Sequence, residues 1–177
     1  MKYVITIFAL LLLYSCKSPK ARKPVTKKSG HFIEQSIVRN KKILKQEVAH
    51  IQAIIAEDST HNYHSSTQGF WYHYNQKNTA DSTTPEIGDT VTFAYNISTI
   101  EGRPIYTRQE IGERVYVMDK EDIFTGLRQG LKLMRTGETV TFLFPSYKAF
   151  GFYGDKKRIG RNVPVRVTVT LNSIEKK

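Results

Sequence analysis

The chain has 177 residues, 40% of them hydrophobic and 24% charged, with 27 Lys and Arg against 16 Asp and Glu and a formal charge of +11. That length suits one domain with extensions, the composition is globular rather than disordered or collagen-like, and a single cysteine excludes a disulfide scaffold. The longest uncharged apolar run, residues 3–14, is about half of the roughly 20 residues that a spanning helix needs, which excludes a multi-pass membrane protein.

Lys2, the apolar run after it and Leu13-Tyr14-Ser15-Cys16 have the layout of an export signal over residues 1–15. The last four resemble a bacterial lipobox, which implies cleavage before Cys16 and a diacylglycerol on its sulfur. Tyr14 is bulkier than the small residue usual at that place, and a plain secretory signal or short anchor is the alternative. Two or more acyl chains hold a protein stably at a membrane where one binds only reversibly, so a chain lipidated at Cys16 is expected to be anchored. Lys17 and Ser18 do not resemble the aspartate that retains lipoproteins in the inner membrane. The expected place is therefore the outer membrane, facing the periplasm.

Residues 16–30 carry Lys17, Lys20, Arg22, Lys23, Lys27 and Lys28 with no acid, and Pro19, Pro24, Ser29 and Gly30 leave no apolar period. They read as a disordered tether. From His31 onward 20 basic residues face 16 acidic ones, a balance of only +4. The basicity thus sits beside the lipid, where each cation near an anionic surface contributes about 1 kcal/mol. No nucleic-acid partner is expected of an exported, anchored chain.

Between His31 and Glu57, Ile33, Ile37, Leu44, Val48, Ile51 and Ile55 recur at helical spacings without Pro or Gly, which predicts an amphipathic helix over 31–57. The last four are spaced 4, 3, 4, as in a coiled-coil seam, although Lys41 interrupts the stripe. The helix either lies on its own domain or pairs as a homodimer through residues 31–57. Residues 58–68 form a polar linker holding His61 and His64.

The remainder, 69–177, is strand-rich. Gly69–Asn75, Val91–Ile97, Arg114–Met118, Glu138–Phe144 and Val163–Ile174 alternate or run apolar, while Glu121–Met134 has one apolar face and Gly137 as a stop. Strands with a single helix among them predict an α+β fold, an antiparallel sheet wrapped around one helix.

The stretches PEIGDTVTFAY (85–95), EGRPIYT (101–107), DIFTGLRQGLKLMRTGE (122–138), FPSYKAFG (144–151) and VRVTVTL (165–171) fall in the order and at the intervals of one family. Residues 69–177 resemble the FKBP-type peptidyl-prolyl isomerase domain. With the lipobox, tether and helix, the whole chain is similar to the gliding-motility-associated FKBP-type lipoproteins of Bacteroidota. The resemblance implies cis/trans isomerisation of X-Pro bonds in proline-containing polypeptides, and no cofactor, because a twisted amide needs an apolar pocket rather than a nucleophile or metal.

The resemblance also implies a pocket. Tyr95 matches the family's first-strand tyrosine and Ile105 the phenylalanine of its FD dipeptide. Ile123 and Phe124 match the pair whose backbone amide binds ligand, and Leu127 replaces the tryptophan floor. Phe150 matches the tyrosine of the YG element, Ile159 the flap isoleucine and Val167 the last-strand aromatic. Two positions depart from the family. Tyr106 stands where an aspartate is usual, and Phe150 lacks the hydroxyl that would bond a ligand carbonyl, a loss of about 0.5–1.5 kcal/mol. Tyr106, Tyr147 and Tyr153 are the candidates for a replacement hydroxyl. A binding module on the same fold, without turnover, is the competing function.

Overall fold

The computed structural model describes residues 29–177, with side chains from Ile33 onward. The export signal, Cys16 and most of the tether lie outside the described residues. The chain divides into two compact units, Met1–Ser36 and Ile37–Lys177. What is described of the first is the opening of a long helix, α1 (Ser29–Glu57), and all else belongs to the second.

Within the second unit, α1 buries Glu47 and Ile51 and leaves Ile37, Val38 and Leu44 exposed. Ile51 packs with Ile100 and Leu143, flanked by Ile54, Ile55, Tyr63 and Trp71. The C-terminal half of the helix therefore lies on its own domain.

The linker after α1 is folded around Asp58. Its carboxylate accepts hydrogen bonds from the Thr60 amide (3.0 Å), the Thr60 hydroxyl and the Tyr63 hydroxyl (3.0 Å), and it pairs with His61 Nδ1 (2.9 Å). His61 stacks on His73 at 4.0 Å between ring centres, whereas His64 packs against Tyr72. A two-residue strand, β1 (His64–Ser65), opens the sheet.

The other strands are β2 (Trp71–Gln76), β3 (Thr90–Thr99), β4 (Pro104–Tyr106), β5 (Glu113–Val117), β6 (Thr139–Phe144) and β7 (Val165–Glu175). All pair antiparallel in the order β1-β2-β6-β7-β3-β4, with β5 also on β3. Alternation explains β7: Val165, Val167, Val169 and Leu171 are fully buried while the residues between them are only partly so. On β6, Phe142 and Phe144 join the main core and Leu143 points to the opposite face, where Ile51 meets it.

The main core is closed by α3 (Thr125–Leu131), with Leu127 and Leu131 fully buried. A short helix, α2 (Arg108–Ile111), precedes β5. A side chain at Gly126 would meet the Phe144 ring at 2.6 Å and the Lys148 carbonyl at 2.8 Å, so glycine is what lets α3 settle on the sheet.

The helix predicted over 121–134 is thus shorter. Tyr116 accounts for the late start: its hydroxyl accepts from the Asp119 amide and donates to the Glu121 carbonyl, holding 119–121 in a turn. Phe124 stays extended at ψ 143°. After Leu131 the chain tightens, with Leu133 and Met134 amides bonding the carbonyls three residues back. Met134 is still buried, so the apolar face extends past the helix itself.

Candidate active site

A cavity of about 260 Å³ opens on the core, lined by Tyr95, Ile97, Tyr106, Ile111, Phe150, Asp155 and Lys157. Tyr95 and Ile97 are two apart on β3 and so share a face. Ile97 pairs with Tyr106 of β4 on one side and Val167 of β7 on the other, which sets all three side by side. Immediately after Tyr106 the chain turns into α2 through a capping box: Thr107 accepts from the Glu110 amide (3.2 Å) and the Glu110 carboxylate accepts from the Thr107 amide (2.8 Å). That turn brings Ile111 back over the cavity. Phe150 arrives from the loop after β6 and packs on Phe124 at 5.2 Å between ring centres.

Asp155 organises the polar rim. One carboxylate oxygen accepts from the amides of Lys157 and Ile159, both at 2.8 Å, and the other accepts from the Tyr106 hydroxyl. Burial disfavours the charged form of Asp155, but the bonds from Tyr106 and from the loop amides outweigh it and hold the carboxyl below the usual range. The same bond pushes the Tyr106 hydroxyl up. Arg158 lies over the Tyr106 ring at 4.8 Å, donates to the Ile105 carbonyl (2.8 Å) and pairs with Glu110 (2.8 Å). Gly154 (φ 65°) is required in this loop, since a side chain there would strike the Ile159 carbonyl at 2.2 Å.

Of the residues singled out from the sequence, Tyr95, Tyr106 and Phe150 line the cavity. Phe124 lies behind Phe150, and Ile123 and Ile105 are partly buried against the core. Leu127, Ile159 and Val167 are core residues. Among the three candidate hydroxyls, Tyr106 is the one at the cavity. Tyr147 donates outward to the Gly69 carbonyl (3.3 Å), and Tyr153 is 74% exposed.

Ile97, Ile111, Asp155 and Lys157 were not anticipated. Ile97 was legible as the residue two after Tyr95, whereas nothing in a loop sequence marks an isolated aspartate. Tyr95 lines the cavity, and its hydroxyl, raised by burial, has no hydrogen-bond partner among the described residues. A mostly apolar pocket with the Tyr95 hydroxyl and the Lys157 ammonium as polar groups fits a small ring beside a carbonyl, and nothing in it resembles a nucleophile activated by a base.

An antiparallel sheet around a short helix, with an aromatic cavity at one end, defines a binding cleft for a compact apolar group. The family model for the FKBP-type peptidyl-prolyl cis-trans isomerase matches residues 81–172, a little over half of the chain, and the chain belongs to that family. Among solved structures, a peptidyl-prolyl cis-trans isomerase from Pseudomonas syringae pv. tomato is similar with a TM-score of 0.61 at 18% identity, over 77% of this chain and 96% of that one. FkpA from Escherichia coli is similar with a TM-score of 0.59 at 17% identity, over 98% of this chain and 81% of that one. Both likenesses establish the fold. A search of the curated proteins gives no match.

Proposed function

We propose that this chain is a lipid-anchored peptidyl-prolyl isomerase that acts on exported polypeptides. The observation that carries the reading is the apolar cavity with Tyr95, Ile97, Ile111 and Phe150 on its walls, in a chain of this family. Amide resonance sets a rotation barrier of about 18–20 kcal/mol, and X-Pro bonds exchange over tens to hundreds of seconds. As the bond twists, resonance and charge separation fall, so a cavity that withholds water from the amide favours the twisted state over the planar one. Phe150 and Ile97 offer the apolar wall for the prolyl ring, and the Tyr95 hydroxyl offers a hydrogen bond to a neighbouring carbonyl. Exchange of Xaa-Pro peptides followed by NMR tests the reading. Catalysis that falls several-fold in Tyr95→Phe supports it, and a folded chain that leaves exchange unaltered refutes it.

The anchor, place and clients belong to the same proposal. The lipobox-like residues before Cys16 and the six cations after it support attachment to a membrane, with the domain in the periplasm. The resemblance to gliding-associated lipoproteins supports clients among motility or secretion components. Ile33, Ile37, Val38 and Leu44, each at least 38% exposed on α1, support pairing of two copies through residues 31–57.

A second reading, a binding module without turnover, is favoured by one specific observation: the Tyr106 hydroxyl is committed to Asp155 and Phe150 has none to offer. The same peptide measurement separates the two, since a module binds proline peptides without speeding their exchange.

A further inference from the structure

Glu47 is one of the few charged residues buried in the described chain, at 7% exposure, and it lies in the middle of α1. Its two carboxylate oxygens accept from the Ser146 amide (2.8 Å) and the Ser146 hydroxyl (2.7 Å), 99 residues away. A pair of charge-assisted bonds in a shielded place is worth far more than a surface contact. Among the described residues, both are the only side-chain hydrogen bonds that Ser146 makes.

Ser146 is also the residue from which Phe150 hangs. Its carbonyl accepts from the Ala149 amide (2.9 Å) and the Gly151 amide (2.8 Å), the two amides that flank Phe150. The Gly151 carbonyl in turn accepts from the Asn162 amide (2.9 Å), closing the loop that carries Asp155 and Lys157. Phe150 therefore reaches the cavity on a short hydrogen-bonded scaffold whose root is gripped from outside the sheet. The grip is itself fixed, because Ile51, one helical turn beyond Glu47, is fully buried against Ile100 and Leu143.

We infer that Glu47 is a positioning residue for the proline cavity: α1 holds the Ser146 turn, and through it sets where Phe150 stands. The inference rests on the isomerase reading for its kinetic consequence, but not for its structural one. Displacing a reacting partner by about 1 Å costs up to roughly 100-fold in rate, and of the contacts that hold the turn before Phe150, which include Tyr147 to the Gly69 carbonyl (3.3 Å) and Lys148 to Gln129 (2.9 Å), those from Glu47 are the ones on Ser146 itself. The helix that precedes the domain is thus part of the catalytic apparatus, and whatever α1 binds or pairs with is felt at the cavity through one carboxylate.

The test uses the full chain in mild detergent, with Glu47→Ala, Glu47→Gln and Ser146→Ala. Glutamine keeps an acceptor for the Ser146 amide and a donor for its hydroxyl, so it is the conservative rescue. Ser146→Ala removes the hydroxyl bond alone and protects the test against a misfolded Glu47→Ala. The expected result is a fall in kcat of about tenfold in Glu47→Ala with KM changed less than threefold, a smaller fall in Ser146→Ala, and near-parental rates in Glu47→Gln. Amide exchange at Ala149 and Gly151 accelerates at least tenfold in Glu47→Ala, while amides in β6 and β7 hold their rates. Parental kcat in Glu47→Ala, or a fall equal in alanine and glutamine, overturns the inference. If the parent chain has no isomerase activity, the proposed function fails instead, and the inference stands or falls on the exchange at Ala149 and Gly151 alone.

Discussion

Acidification acts on this fold through His73. Its side chain is 3% exposed on β2, Nδ1 has no hydrogen-bond partner, and the ring is covered by His61 at 4.0 Å and Tyr63 at 4.9 Å. Asp58 from the linker and Arg166 from β7 are the other charged groups acting on it. Burial first and the His61 ring second push its pKa from 6.5 down to about 4. Between those values the unfolded chain binds a proton that the folded chain refuses, so stability falls as pH falls and the loss is complete below about 4. At about 1.4 kcal/mol per pH unit, the full span corresponds to about 3 kcal/mol, of which about 2 kcal/mol is gone by pH 5. With a urea slope of about 2 kcal/mol per molar, that is a drop of about 1 M in the unfolding midpoint between pH 7.5 and pH 5. The other four histidines are common to the parent and a His73 variant, so the comparison between the two isolates His73. His73→Phe keeps an aromatic ring under Tyr63 and removes the charge, and its midpoint should fall far less over the same range. Equal losses in the parent and His73→Phe would refute the reasoning.

Further outcomes follow from packing and from the cavity. Leu127→Ala empties a fully buried site against the sheet and should cost about 2–5 kcal/mol in urea unfolding. Gly126→Ala forces a methyl group into the Phe144 ring and the Lys148 carbonyl, with an expected loss of about 1–3 kcal/mol and a shifted Phe144 environment by NMR. Phe150→Tyr supplies a hydroxyl at the cavity and should tighten proline-peptide binding several-fold, in line with about 0.5–1.5 kcal/mol for one hydrogen bond; calorimetry reads it directly. Cys16→Ser should release the protein from the membrane fraction on cell fractionation.

The antiparallel sheet was legible where burial of one face drives alternation, as along β7, and the matched stretches cover most of β7 and the first part of β3; the strand order was not read from the sequence. The helix over 121–134 was misjudged in length for a tertiary reason. Ile123, Phe124 and Met134 do face the core, but the Tyr116 hydroxyl takes the Glu121 carbonyl and keeps the first of those residues out of the helix. The linker was read only as a polar stretch holding His61 and His64, whereas Asp58 gathers its donors into a knot that only a structure reveals. At the cavity, Tyr95, Tyr106 and Phe150 were found through the resemblance, whereas Ile97, Ile111, Asp155 and Lys157 were not. Asp155 owes its place to Gly154 and to amides two and four residues on, and Glu47 owes its role to a serine 99 residues away. No spacing rule carries such pairs.

The central claim is that the cavity turns over X-Pro bonds. The most direct measurement is refolding of a protein whose slow phase is set by a native cis-proline, with and without catalytic amounts of the full chain in detergent. Acceleration that is proportional to the chain added, and is lost in Phe124→Ala, which strips the support behind Phe150, is the predicted result. An unchanged slow phase in the presence of folded, peptide-binding protein would contradict it and leave the cavity as a holding site for proline-bearing segments.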